Sequence, residues 1–134
     1  MQDRIETLFN TAYGNAQSIH KSPLVGDISK LWKALTIERA VGLSDYFKSP
    51  ALRRAYLGYY MPLYAAKIAL LMRQLMAEGN MPSGSEPPRV LDLGAGPLVG
   101  IVASQLVFGN FQSALALDRE IGPMRQGLEF FRSL

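Results

Sequence analysis

One segment limits what this chain of 134 residues can become: Arg89–Gly100, RVLDLGAGPLVG, in which a short apolar run meets a glycine bend. RVLDL has the length and apolar content of a strand, and the turn residues that bound it fix its end. Gly94 and Gly96 let the backbone bend sharply and leave room for close approach. Pro97 then starts a helix expected over 98–108, which Gly109-Asn110 stops. SALALD, residues 113–118, reads as a second apolar strand. Residues 123–134 begin another amphipathic helix through Met124, Leu128 and Phe131. The order β-α-β-α predicts two parallel strands, side by side, joined by a right-handed helical crossover.

The chain before this segment follows a different grammar. Apolar residues recur at helical spacing over 1–20 (Ile5, Leu8, Phe9) and 27–41 (Ile28, Leu31, Trp32, Leu35), with Asp27 placed to cap the second helix. Ser49-Pro50 signals another start, the hydroxyl as cap and proline at the first helical position. That helix would run toward Gly79, but Pro62 lacks an N–H and its ring would meet the carbonyl of Gly58. A kink or a break is therefore expected near 58–62. The organisation read from the sequence is a helical region over 1–80, a linker over 81–88 and an α/β portion over 89–134. No internal repeat or low-complexity tract interrupts it.

Composition closes several chemistries. There is no cysteine and one histidine, His20, which excludes a disulfide framework, a thiolate site and a histidine metal cluster. No apolar run approaches the ~18 residues of a membrane span, because Lys67 divides MPLYAAKIALLM. Asp3 and Glu6 near the start argue against a leader, so a cytoplasmic setting and no membrane partner are expected. The net charge of +3 is confined to residues 1–88, with ten Lys/Arg against seven Asp/Glu, whereas 89–134 has four of each. This modest excess is compatible with a nucleic-acid partner without identifying one.

Chemistry concentrates at the bend. Open parallel sheets bind ligands at the carboxyl ends of their strands, where Gly94 and Gly96 lie. Asp118 closes the next strand, where a carboxylate can accept from both hydroxyls of a ribose. A dinucleotide would also need free N–H donors for its pyrophosphate. Pro97 removes one donor, and Gly100 falls one residue late for the G-x-G-x-x-G spacing. A ligand without phosphate and with a positive charge fits Asp92 better.

LDLGAG followed by an acidic end of the second strand resembles motif I and the ribose position of class I S-adenosylmethionine-dependent methyltransferases. The likeness covers residues 88–134 and implies the first βαβα half of a Rossmann-like fold with an incomplete parallel sheet. It implies that Asp92, Gly94, Ala95 and Gly96 line the methionine and ribose part of S-adenosylmethionine, and that Asp118 holds the ribose hydroxyls. Arg119, beside that carboxylate, is a candidate for contact with an adenine or a 2′-phosphate. The departure is Leu98, where the family often has a third glycine. Upstream, RRAYLGYYMPLYAAKIALLMRQL is similar to the helical lead-in of methyltransferase-like proteins associated with small ribosomal subunit assembly. That likeness implies methyl transfer to RNA, with rRNA or the small subunit as partner.

Each signal has a plainer reading. The glycines could serve only a tight βα turn, and Tyr56, Tyr59, Tyr60 and Tyr64 are better placed for a core than for stacking on RNA. Tyr60 and Tyr64, near Pro62, are candidates to cover the cofactor pocket. His20 and Arg119 are ordinary as solvated side chains. A noncatalytic scaffold of the same fold and an NAD(P)-binding oxidoreductase half-domain are the alternatives. The acceptor-side residues of such domains lie on later strands, so no catalytic residue is named. The chain is expected to be an amino-terminal piece whose open sheet edge invites self-association or a partner chain.

Overall fold

The structure is a computed structural model that describes residues 1–19, 23–38, 47–81 and 86–134. The chain is an α/β protein, predominantly helical, with a small parallel sheet. Helix α1 spans Gln2–Ile19 and α2 spans Leu24–Lys33, extended by a π-helical stretch at Ala34–Glu38. Helix α3, Pro50–Ala55, passes through a second π-helical stretch, Tyr56–Tyr60, into α4, Met61–Ala77. Strand β1 (Arg89–Leu93), helix α5 (Val99–Phe108), strand β2 (Ser113–Leu117) and helix α6 (Ile121–Arg132) follow. The strands pair in parallel, with Leu91 opposite Leu115 and Leu93 opposite Leu117. Among the described residues, no helix is long and apolar enough to cross a membrane.

The helix starts differ in instructive ways. Ser49 caps α3 as its sequence predicts, its hydroxyl accepting from the Leu52 N–H at 3.4 Å. Asp27 is not a cap, because α2 begins at Leu24 behind Pro23 and the Asp27 carboxylate is buried against Arg54 of α3. Residues 39–41, the end of the expected second helix, lie outside the described residues.

Pro62 produces no break. The Met61 N–H donates to the Tyr56 carbonyl, five residues back, and this wider turn places Pro62 in the first turn of α4, where its missing N–H costs nothing. Gly58 lies in the same stretch and packs directly on α1. A Cβ there would sit 2.6 Å from that of Ala16.

Helix α5 forms the middle layer. None of its ten residues is exposed, as expected of a helix that is apolar all round. Val102, Ala103 and Leu106 meet Leu8 and Ala12 of α1, Met61, Ala65 and Ala69 of α4, and Phe130 of α6. Ile101 turns toward the sheet, joining Ala95 and Leu98, with Val90, Ala116 and Met124 packed against them. The two regions read from the sequence thus share one core. Arg4 of α1 strengthens the join by donating to the Leu106 carbonyl at 3.3 Å, at the negative end of the α5 dipole. The far face of the sheet is bare: Leu91, Leu93, Leu115 and Leu117 are 51% to 69% exposed.

Candidate functional site

The site begins where β1 ends. Gly94, Gly96 and Leu98 all have positive φ, at 70°, 47° and 64°. The two glycines adopt this conformation freely, whereas Leu98 is held there by burial of its side chain against Ala95 and Ile101. Leu98 therefore belongs to the turn, and α5 starts at Val99, not at the expected residue 98.

This turn consumes its own amides. The N–H groups of Gly94 and Ala95 both donate to the Leu117 carbonyl, at 2.8 and 3.1 Å. The Gly96 N–H donates to Asp118 Oδ2 at 2.8 Å, and the Leu98 N–H donates to the Ala95 carbonyl. Pro97 has no donor to offer. The bend and the carboxylate at the end of β2 are thereby locked together. Asp118 Oδ1 accepts a further bond from the Glu120 N–H at 2.8 Å. The amides of Glu120 and Gly96 hold its carboxyl below the usual carboxylate range. The Arg119 amide adds to the same effect, and of the roughly four acceptor positions of a carboxylate at least one is left for a ligand hydroxyl.

Asp92 is set differently. Its side chain lies at the start of α5, where Gly100 makes room: a Cβ on that residue would fall 2.8 Å from Asp92 Oδ2. Burial raises the Asp92 pKa, partly offset by the Ile101 and Gly100 amides and reinforced by the negative charge of Asp118. Oδ2 is buried without a hydrogen-bond partner. That oxygen is turned toward the first turn of α5, while the residue as a whole lines the cleft.

A cleft of about 900 Å³ opens over these groups. Its sheet side carries Asp92, Gly94, Ala95, Gly96, Asp118 and Arg119, so the structure brings every residue chosen at the bend to one cavity. Ala95 is itself buried, at 4% exposure. Arg119 points largely to solvent, 3.9 Å from Glu120. The opposite wall comes from the helical region: Phe47, Tyr56, Tyr64, Lys67 and Ile68. Of the two tyrosines chosen as a cover, Tyr64 lines the cleft. Tyr60 does not, because it is buried with Leu31 and Ala55. His20 lies outside the described residues.

Several contributors escape sequence reasoning. Gly100 supplies the close helix–strand approach that the G-x-G-x-x-G spacing seeks one residue earlier. Gly127 of α6 lies against the turn, where a Cβ would be 2.3 Å from the Pro97 carbonyl oxygen. Phe47, Tyr56 and Lys67 reach the cleft only because α3 and α4 pack beside the sheet, and no local signal marks them. Set beside known proteins, the chain matches no family model, no curated protein and no solved structure.

Proposed function

We propose that the cleft binds S-adenosylmethionine and that the chain is the cofactor-binding half of a Rossmann-like methyltransferase domain. The observation that carries this reading is the 2.8 Å bond from the Gly96 N–H to Asp118 Oδ2. It joins the glycine bend to the carboxylate of the neighbouring strand, so one nucleoside can reach both. The carboxylates of Asp92 and Asp118 on one wall of the cleft fit a ligand that offers positive charge at one end and ribose hydroxyls at the other.

The cofactor, when bound, supplies an electrophilic methyl group on a sulfonium. Asp118 would hold the ribose, and the exposed backbone of Gly94 and Gly96 would let the ligand lie close. Asp92 would face the cationic portion. The aromatic wall of Phe47, Tyr56 and Tyr64 excludes water from one side, and holding the reactants in line supplies much of the acceleration of a displacement. We assign no proton transfer to these residues.

A dinucleotide fits less well. The turn amides that would cradle a pyrophosphate are spent on Leu117, Asp118 and Ala95, and Asp92, Asp118 and Glu120 line the same cleft. The acceptor we infer is RNA, in small ribosomal subunit assembly within the cytoplasm, a reading that rests on the upstream likeness. A noncatalytic scaffold is the second reading, favoured by the bare leucine face of the sheet, which suits a binding piece.

Calorimetric titration of S-adenosylmethionine, S-adenosylhomocysteine and NADH into the chain and into Asp118→Ala tests the assignment. Binding of the first two, lost in the variant, is expected. Micromolar binding of NADH alone would overturn it. A scaffold would bind none of the three, yet retain RNA with steep salt dependence.

A further inference from the structure

The outer face of α2 takes no part in the cleft. Trp32, the one tryptophan of the chain, follows the helical spacing of Ile28, Leu31 and Leu35 in the sequence, yet it is 49% exposed while Leu31 is fully buried. The core side of this helix is already occupied. Leu24 and Leu31 are buried, and Leu31 joins Ala55 and Tyr60, with Phe47 and Tyr56 packed against them. Val25, Ser29, Lys30, Lys33 and Thr36 are exposed with Trp32. Val25 stands two turns before the indole, and Ser29 and Thr36 stand one turn to either side, so these residues form one line along the surface. The charge of that face has one sign. Asp27, the carboxylate of α2, is buried against Arg54, whereas Lys30 and Lys33 remain in solvent, Lys30 coming only to 4.0 Å from Asp27.

A half-exposed indole with lysines beside it and the helix's carboxylate withdrawn matches a ligand that combines flat rings with repeated negative charge. Single-stranded nucleic acid has both, since its bases stack on aromatic side chains and its phosphates attract lysine. A duplex keeps its base faces stacked inside and offers none to the indole. A lipid surface is matched less well. A helix that lies on a bilayer buries a broad apolar face. That of α2 is spent in the core, and on the outer face Ser29, Thr36 and the lysines interrupt Val25 and Trp32. We propose that α2 is a docking surface for single-stranded RNA, with a base stacked on Trp32 and adjoining phosphates on Lys30 and Lys33. The proposal rests on the RNA acceptor of the reading above and not on its cofactor. Leu31, beside Trp32, shares a cluster with Phe47 and Tyr56, which line the cleft. A strand held on α2 is thereby anchored to the same packed unit that builds the helical wall of the cleft.

The single tryptophan makes the test local, because indole emission reports on Trp32 alone. The full chain is titrated with a single-stranded oligouridylate of about 12 nucleotides, inside the ~4–16 of such sites, and separately with phosphatidylserine vesicles. The oligonucleotide should quench the emission. Its affinity, followed by the anisotropy of a labelled copy, should fall about tenfold in Trp32→Leu, the scale of one lost stack. Trp32→Phe should recover most of that loss, and Lys33→Gln should lower the slope of log affinity against log salt by about 0.7. Trp32 and Lys33 are exposed, so the variants should keep the original melting temperature within a few degrees and bind S-adenosylhomocysteine as the unsubstituted protein does. RNA binding that leaves the emission unchanged and is not weakened in Trp32→Leu overturns the proposal. So does a blue shift of the emission with vesicles and no response to RNA. Absence of any RNA binding overturns the proposal together with the RNA acceptor, while titration of S-adenosylhomocysteine judges the cofactor separately.

Discussion

Replacing Gly127 with alanine tests whether α6 holds the cofactor turn in place. The added Cβ would lie 2.3 Å from the Pro97 carbonyl oxygen and 2.4 Å from its carbon, both backbone atoms that cannot rotate away. Ordinary contact would require α6 and the turn to separate by about 1 Å, at the upper end of the ~1–3 kcal/mol of overpacking. Alanine in a helix interior returns ~1 kcal/mol over glycine, so the net loss should be about 2 kcal/mol. For a chain of this length that lowers Tm by about 6–8 °C. Gly14 of α1 supplies the control, since a Cβ there meets nothing within 4 Å. Gly14→Ala should be stabilised by up to ~1 kcal/mol. Thermal and urea unfolding followed by far-ultraviolet circular dichroism reads both variants. A Gly127→Ala protein that melts at or above the original temperature would refute the claim that helix and turn meet backbone to backbone.

Three further outcomes follow from buried and paired charge. Asp27→Ala leaves the fully buried Arg54 guanidinium without its carboxylate and should cost ~3–5 kcal/mol, read as a lower urea midpoint with an unchanged slope. Asp92→Asn should be more stable than the original protein at neutral pH, since burial disfavours the charged carboxyl. Because the folded pKa of Asp92 is raised, that advantage should shrink as pH falls through it and close below the unfolded value, and S-adenosylhomocysteine binding should weaken throughout. Asp118 has the opposite sign: the Glu120 and Gly96 amides depress its pKa, so its stabilisation is full above the unfolded value and lost as pH falls through the folded one. An Asp118→Asn variant should lack that acid limb in a plot of stability against pH, and retention of the limb would assign it to other groups.

The parts of the fold legible in the sequence are those fixed by a few neighbouring residues. RVLDL, the glycine bend, the Ser49-Pro50 start and the stop at Gly109 each carry their own local cause, and the elements lie where that cause puts them. Asp27 departs from its expected role because a cap and a buried ion-pair partner look alike until Arg54 arrives from another helix. At Pro62 the rule against proline holds, and a π-helical stretch satisfies it without a break, a remedy that local sequence does not announce. Leu98 shows the limit most clearly. Its position takes the left-handed φ that favours glycine, and tertiary burial holds a leucine there. At the site, Asp92, Gly94, Gly96 and Asp118 announce themselves by spacing. Gly100, Gly127 and Lys67 gain their meaning only from what packs across from them.

Helix α5 carries an implication for how such a chain can change over time. A rod with no fully exposed residue is shared property, greased on one flank for the strands and on the other for α1 and α4. The front region therefore cannot be traded as a cassette, because a recombinant joined at residue 88 would leave Val102, Ala103 and Leu106 facing solvent. Drift along α1 or α4 must keep pace with α5, so the two segments should inherit compensating changes as a unit.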